Sequence, residues 1–289
     1  MDGRVKAHAL RRRVVGRAIA ALLAALALLV GVMFSAQSAT AAPSKHHRVK
    51  PTIVLVHGAW ADGSSFAPVK ALLKGAGYTV KVPVNPLRGL AVDAPALVRY
   101  VKEQTKGPVV LVGHSYGGFV ITNAAGALPQ VEALVYVDAY APDVGETVLT
   151  LTNAQPGSAL NVVDPTTVFD FAPYAGAPKD DYDTTVKPAV FASAFVGDLP
   201  KPIRTSLANH QKPITLFGLN TPSAAAAWKT IPSTFFIGTK DKVLPPAEQR
   251  VMAHRANATV FEGPATHVAM LSTPLLVTKA ILHAARCAR

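Results

Sequence analysis

Cysteine is almost absent. Cys287 is the one thiol in 289 residues, so no internal disulfide can form and the fold must rest on its apolar core. At a predicted helix end with no base beside it in sequence, that thiol is also a poor candidate nucleophile. Charge is sparse at 16% of residues, and 17 acids face 29 Lys and Arg. The resulting net charge of +12 is uneven, because residues 1–41 hold six basic residues against one acid. Residues 42–289 carry 23 basic and 16 acidic residues, with no dense basic block. No nucleic-acid motif accompanies that charge, so a nucleic-acid partner is not expected. Aromatics make up 7% of the chain against 50% hydrophobic residues, so the apolar content lies mostly in small and aliphatic side chains. Metal-type ligand spacings and Gly-rich phosphate loops are missing, so neither a metal nor an organic cofactor is implied. No internal repeat appears, and the composition is neither fibrous nor disordered.

What the chain does have begins at its N-terminus. Arg4, Lys6, Arg11, Arg12, Arg13 and Arg17 precede an unbroken apolar run over 18–34, and Ala39-Thr40-Ala41 follows with small side chains. This order reads as an export signal over 1–41, cleaved after Ala41, with 42–50 as a solvated lead-in. The apolar run of 17 residues is short for a bilayer span, which takes about 20. An uncleaved anchor is the alternative, and would be the chain's one membrane contact. The arginine cluster loosely fits a twin-arginine signal, so the general secretory and twin-arginine routes both stay open.

From residue 51 onward strand-like and helix-like segments alternate, which predicts a mostly parallel sheet of about six strands flanked by helices, an α/β domain over 51–289. Strands are expected at 52–56, 78–82, 108–112, 133–137, 234–237 and 258–261. Helices are expected from Ser64 or Ser65 to Gly75, over 94–106, from about Ser115 to Leu128, after Pro245-Pro246, and from about Ser272 to Arg286. Between 141 and 228 the alternation fails and prolines accumulate. That stretch is too long for an ordinary loop and reads as a cap insertion of short helices and loops.

Gly113-His114-Ser115-Tyr116-Gly117 follows the 108–112 strand at once and opens a helix. A serine on such a strand–turn–helix bend is lifted clear of the sheet, and its glycine neighbours avoid collisions at the tight turn. A serine hydroxyl needs a base to accept its proton. Of nine histidines, His267 lies in the loop after the last strand, at the carboxyl edge where Ser115 also sits. His254 and His283 fall within predicted helices. His210 falls in the cap, and His57 reads as a loop organiser. The base in turn needs an acid to hold its ring. Asp241, just after the 234–237 strand, is preferred, and the order Ser115, Asp241, His267 suits this arrangement. Asp138, at the end of the 133–137 strand, is the rival. His57-Gly58-Ala59-Trp60 ends the first strand, and the Ala59 N–H paired with that of Tyr116 would form an oxyanion hole.

The stretches TIVLVHGAWADGSSF, GPVVLVGHSYGG, LVYVDAYAPDVGE and IPSTFFIGTKDKVLPP resemble the bacterial α/β hydrolases related to plant methylesterases and hydroxynitrile lyases. The resemblance covers about residues 51–286. It implies the α/β-hydrolase fold and puts Ser115, Asp241 and His267 on a triad, with Ala59 and Tyr116 on the oxyanion hole. Relatives often have serine where this chain has Thr266. Hydroxynitrile lyases typically place threonine and lysine where it has Ala59 and Val268, so lyase activity is not expected. The expected activity is cleavage of a small or medium carboxylic ester through an acyl-serine intermediate. The alternatives are C–C or C–CN cleavage on the same scaffold, or a ligand-binding member without catalysis. Phe169, Phe171, Tyr174, Phe191 and Phe195 are candidates to line the pocket or to hold the cap together.

Overall fold

The structure, a computed structural model, describes residues 49–288. The export signal over 1–41 and most of the lead-in lie outside the described residues. Along the chain come β1 (Thr52–Val56), α1 (Ala67–Gly75), β2 (Val80–Lys81), α2 (Leu90–Gln104), β3 (Val109–His114), α3 (Gly117–Ala124) and β4 (Val131–Val137). The insertion then supplies α4 (Val148–Thr152), β5 (Phe169–Ala172), β6 (Asp183–Val186), a π-helical turn (Phe191–Phe195), α5 (Lys201–Asn209), β7 (Ile214–Thr215) and α6 (Leu216–Asn220). The chain returns through β8 (Ser233–Gly238), α7 (Pro246–Arg255), β9 (Thr259–Gly263), α8 (Ala269–Ser272) and α9 (Pro274–Cys287).

The main sheet has six strands in the order β2-β1-β3-β4-β8-β9, with every neighbouring pair parallel. β1, β3 and β8 are buried along their whole length, which is why they read as unbroken aliphatic and aromatic runs rather than alternating ones. The chain leaves β1 for the edge strand β2 and returns on the other side as β3. Ligand crevices of open parallel sheets form at such a switch, outside the carboxyl ends of the strands. The predicted strands all occur, with ends shifted by a few residues.

Two differences have physical causes. Helix α2 starts at Leu90 rather than 94, because the buried Asp93 carboxylate accepts the N–H groups of Arg88 (3.0 Å) and Gly89 (3.3 Å) and closes the helix start from inside. The insertion holds more than helices and loops: β5, β6 and β7 form a three-stranded antiparallel sheet. Its strands are two to four residues long, too short to show a period among so many prolines.

Candidate active site

Ser115 occupies the turn between β3 and α3 with φ of 51°, a left-handed conformation that costs a non-glycine residue of order 1–3 kcal/mol. The surroundings impose it. A Cβ on Gly117 would lie 2.4 Å from the Val56 carbonyl oxygen, and one on Gly118 would lie 2.1 Å from that of Tyr140. Helix α3 is therefore pressed against backbone on two sides, and the serine at its head has one place to go. Both approaches need glycine for lack of a side chain rather than for an unusual dihedral.

His267 Nε2 lies 2.9 Å from Ser115 Oγ, and His267 Nδ1 lies 2.8 Å from Asp241 Oδ2. Asp241 Oδ1 accepts the N–H groups of Val243 (2.8 Å) and Leu244 (3.1 Å), and Oδ2 also accepts an amide N–H of Gln249 (2.9 Å). A carboxylate ringed by donors is an acceptor only, so Nδ1 of His267 carries the ring proton and Nε2 is left to accept from the serine hydroxyl. All three side chains are buried. The His267 carbonyl accepts from His114 Nε2 at 2.8 Å, which puts the His114 proton on that nitrogen. Burial, reinforced by the neighbouring His267, holds the His114 imidazole well below its ordinary pKa.

Asp138, the rival acid, does not reach His267. Its Oδ1 accepts the Gly238 N–H at 2.6 Å and its Oδ2 the Ala269 N–H at 3.1 Å. It thereby ties the end of β8 to the start of α8, the segment just after His267. Burial pushes its carboxyl well above the usual range, and the nearby Asp241 charge adds to that.

Ala59 and Tyr116 flank Ser115 on the wall of one cavity. Among the described residues neither backbone N–H is taken by a protein acceptor, so both stay available to a substrate oxygen. The Ala59 loop is fixed by His57, whose Nδ1–H donates to the Gly58 carbonyl (3.0 Å) and whose Nε2 accepts the Asn85 N–H (3.2 Å). Burial keeps that imidazole below its ordinary pKa. Tyr116 is fixed by its phenol, which donates to Asp93 at 2.8 Å. Burial, with the Asp93 charge, raises the phenol well above its ordinary value, and burial also raises Asp93.

The cavity over Ser115 measures about 140 Å³. Trp60, Tyr140, Leu160, Phe169, Phe171 and Leu219 form much of its wall, and among the described residues no charged side chain lines it. Of the five aromatics singled out in the insertion, Phe169 and Phe171 face this cavity. Phe191 and Phe195 line a smaller one of about 80 Å³ beyond Trp60, together with His114 and His210. Tyr174 lines neither, and its phenol donates to Asp181 at 2.6 Å. The residues that sequence reasoning passed over are Gln249, Asp93 and Tyr140. Only Gln249 left a trace, as a polar residue on the inner face of a helix beginning just past Asp241.

Residues 53–280 match the model of the alpha/beta hydrolase family. The chain is 37% identical over 110 residues to a carbendazim hydrolyzing esterase from Nocardioides sp., a match that covers 34% of this chain and 46% of that protein. The chain thus spans less than half the length of that relative. It is 27% identical over 250 residues to a pyrethroid hydrolase from Sphingobium wenxiniae, covering 79% of this chain and 85% of that one. The crystal structure of polyneuridine aldehyde esterase superposes with a TM-score of 0.69 at 22% identity, over 81% of this chain and 98% of that one.

Proposed function

This chain belongs to the alpha/beta hydrolase family, and from that premise we propose that it is a serine hydrolase cleaving small or medium carboxylic esters. The observation that carries the reading is the unbroken hydrogen-bonded line Ser115–His267–Asp241 opening onto an apolar cavity. Relatives named esterase and hydrolase support the same reaction class.

Ser115 Oγ attacks the ester carbonyl while His267 Nε2 takes the hydroxyl proton. The carbonyl oxygen becomes an oxyanion held by the Ala59 and Tyr116 N–H groups, and Asp241 steadies the imidazolium. When the C–O bond breaks, His267 gives its proton to the departing alcohol and an acyl-serine remains. Water then attacks the acyl carbon, giving up a proton to His267, and collapse of the second oxyanion returns that proton to Ser115 and frees the acid. An uncharged substrate group suits the cavity, because a charge would be desolvated there without a partner.

The test is hydrolysis of a chain-length series of p-nitrophenyl esters, with Ser115→Ala alongside. Turnover by the wild type and none by the variant is expected. Equal activity in both would refute the role of Ser115. We also propose that the protein is exported, with 1–41 as its signal. N-terminal sequencing of protein recovered outside the cell should begin at Ala42, and retention of Met1 would refute cleavage.

A further inference from the structure

The segment Pro264-Ala265-Thr266-His267, just past β9, carries the candidate base without regular structure, so its shape depends on what pins it. On the core side His114 holds the His267 carbonyl, Asp138 holds the Ala269 N–H, and the N–H groups of Thr239 and Lys240 hold the Gly263 and Ala265 carbonyls at 2.9 and 3.0 Å. On the other side the pin comes from the insertion. The Thr266 N–H donates to Asp198 Oδ2 at 3.0 Å, and the Thr266 hydroxyl lies 2.6 Å from Asp198 Oδ1 and 2.9 Å from the Phe195 carbonyl oxygen. Thr266 is buried, whereas Asp198 sits at the surface.

The same segment of the insertion touches the site a second way. The Phe195 ring stands edge-on to the His267 imidazole with centroids 5.3 Å apart, and edge-on to Trp60 at 5.6 Å. Phe191 stacks on Phe195 at 4.7 Å. Phe191–Phe195 is the π-helical turn, a form that often marks functional positions. The chain then bends tightly through Gly197, where a Cβ would lie 2.7 Å from the Ser193 carbonyl oxygen, and this bend presents Asp198 to Thr266.

We propose that Asp198 is a positioning residue for His267, so that the insertion must be seated on the sheet for the imidazole to stand in line with Ser115. This rests on the serine-hydrolase reading above. Phe169 and Phe171 of the same insertion wall the substrate cavity, so pocket shape and base alignment depend on the seating of a single insertion. The clamp needs two hydrogen-bonding atoms on residue 198 more than it needs a charge. An amide at 198 can accept the Thr266 N–H through its oxygen and donate to the Thr266 hydroxyl, which then donates to Phe195. Alanine can do neither.

The experiment compares Asp198→Ala, Asp198→Asn and Ser115→Ala in the full-length protein, reading kcat and KM on a short p-nitrophenyl ester and the thermal midpoint. Asp198→Ala is expected to lower kcat by about tenfold or more, since misplacement by about 1 Å can cost 10²-fold. KM should stay within about threefold and the thermal midpoint near the wild-type value, because a surface residue leaves no core cavity. Asp198→Asn should recover most of the lost kcat. A kcat for Asp198→Ala equal to the wild type overturns the proposal, as does an Asp198→Asn variant no better than alanine. If those results appear while Ser115→Ala is dead, the clamp alone fails. A Ser115→Ala variant as active as the wild type removes the hydrolase reading and the clamp with it.

Discussion

Replacing Gly118 by alanine tests the reasoning about the serine turn most directly. At an open helical position glycine to alanine stabilises by roughly 0.5–1 kcal/mol, so propensity alone predicts a small gain. At Gly118 the new Cβ would meet the Tyr140 carbonyl oxygen at 2.1 Å and the Tyr140 carbonyl carbon at 3.0 Å, against 3.4 Å for ordinary contact. More than an ångström must be found in backbone. Tyr140 cannot supply it cheaply: its side chain is buried, its phenol is bonded to Thr152 at 2.7 Å, and its N–H leans on the Ser115 carbonyl at 3.4 Å. Overpacking a core costs about 1–3 kcal/mol, and distortion of backbone angles adds up to about 4. A net loss of about 3–5 kcal/mol is expected, or a thermal midpoint lower by very roughly 6–20 °C at 2–4 °C per kcal/mol for a domain this size. Because the Gly118 N–H donates to the Ser115 carbonyl at 2.9 Å, the shift reaches the serine, and kcat should fall by about 10²-fold in the protein that stays folded. The control is Gly126→Ala, where a Cβ meets nothing within 4 Å and the midpoint should hold or rise. A Gly118→Ala protein melting within 2 °C of the wild type, at about the width of a 1 kcal/mol effect, would refute the argument.

Asp241→Asn should keep the fold and lower kcat by roughly 10⁴-fold, because an amide N–H can hold His267 in the wrong tautomer; a loss under tenfold in steady-state ester hydrolysis speaks against Asp241 as the acid. Burial raises the Asp93 pKa, so the folded state binds its proton more tightly than the unfolded chain, and the contribution of Asp93 to stability declines as pH climbs from about 3.9 through the raised value. Asp93→Asn removes that term, so thermal midpoints from pH 4 to 7 should show the variant gaining on the wild type as pH rises, and parallel profiles would contradict it. Leu219→Trp narrows the 140 Å³ cavity, so kcat/KM for an octanoate ester should fall relative to acetate, whereas an unchanged ratio would place the acyl chain elsewhere.

The sheet was legible because its strands are buried on both faces and so stand out as apolar runs, and the candidate site followed from position. Ser115 directly follows β3, Asp241 and His267 lie in the short loops after β8 and β9, and a parallel sheet gathers the carboxyl ends of its strands at one edge. That logic named the three residues that the structure hydrogen-bonds in line, and it left Asp138 open because Asp138 also follows a strand. The structure separates the two aspartates by where the side chains point, which no spacing encodes. The Asp198–Thr266 contact was illegible for a related reason: it joins positions 68 apart, and nothing near Asp198 in sequence marks its partner. The short sheet of the insertion was hidden by strands too brief to show alternation.

Ser115 and His267 stand 152 positions apart in sequence yet 2.9 Å apart in space, and parallel pairings of β3, β4, β8 and β9 lie between them. Contacts of such high sequence separation form late and slowly. On the proposed mechanism, a nascent or unfolded chain therefore holds a serine and a histidine of no special reactivity. Recovery of ester hydrolysis on refolding should trail the recovery of helical signal. On the proposed mechanism, ester hydrolysis by this chain would report that the last strand has docked, so the substrate itself would become a probe of when folding ends.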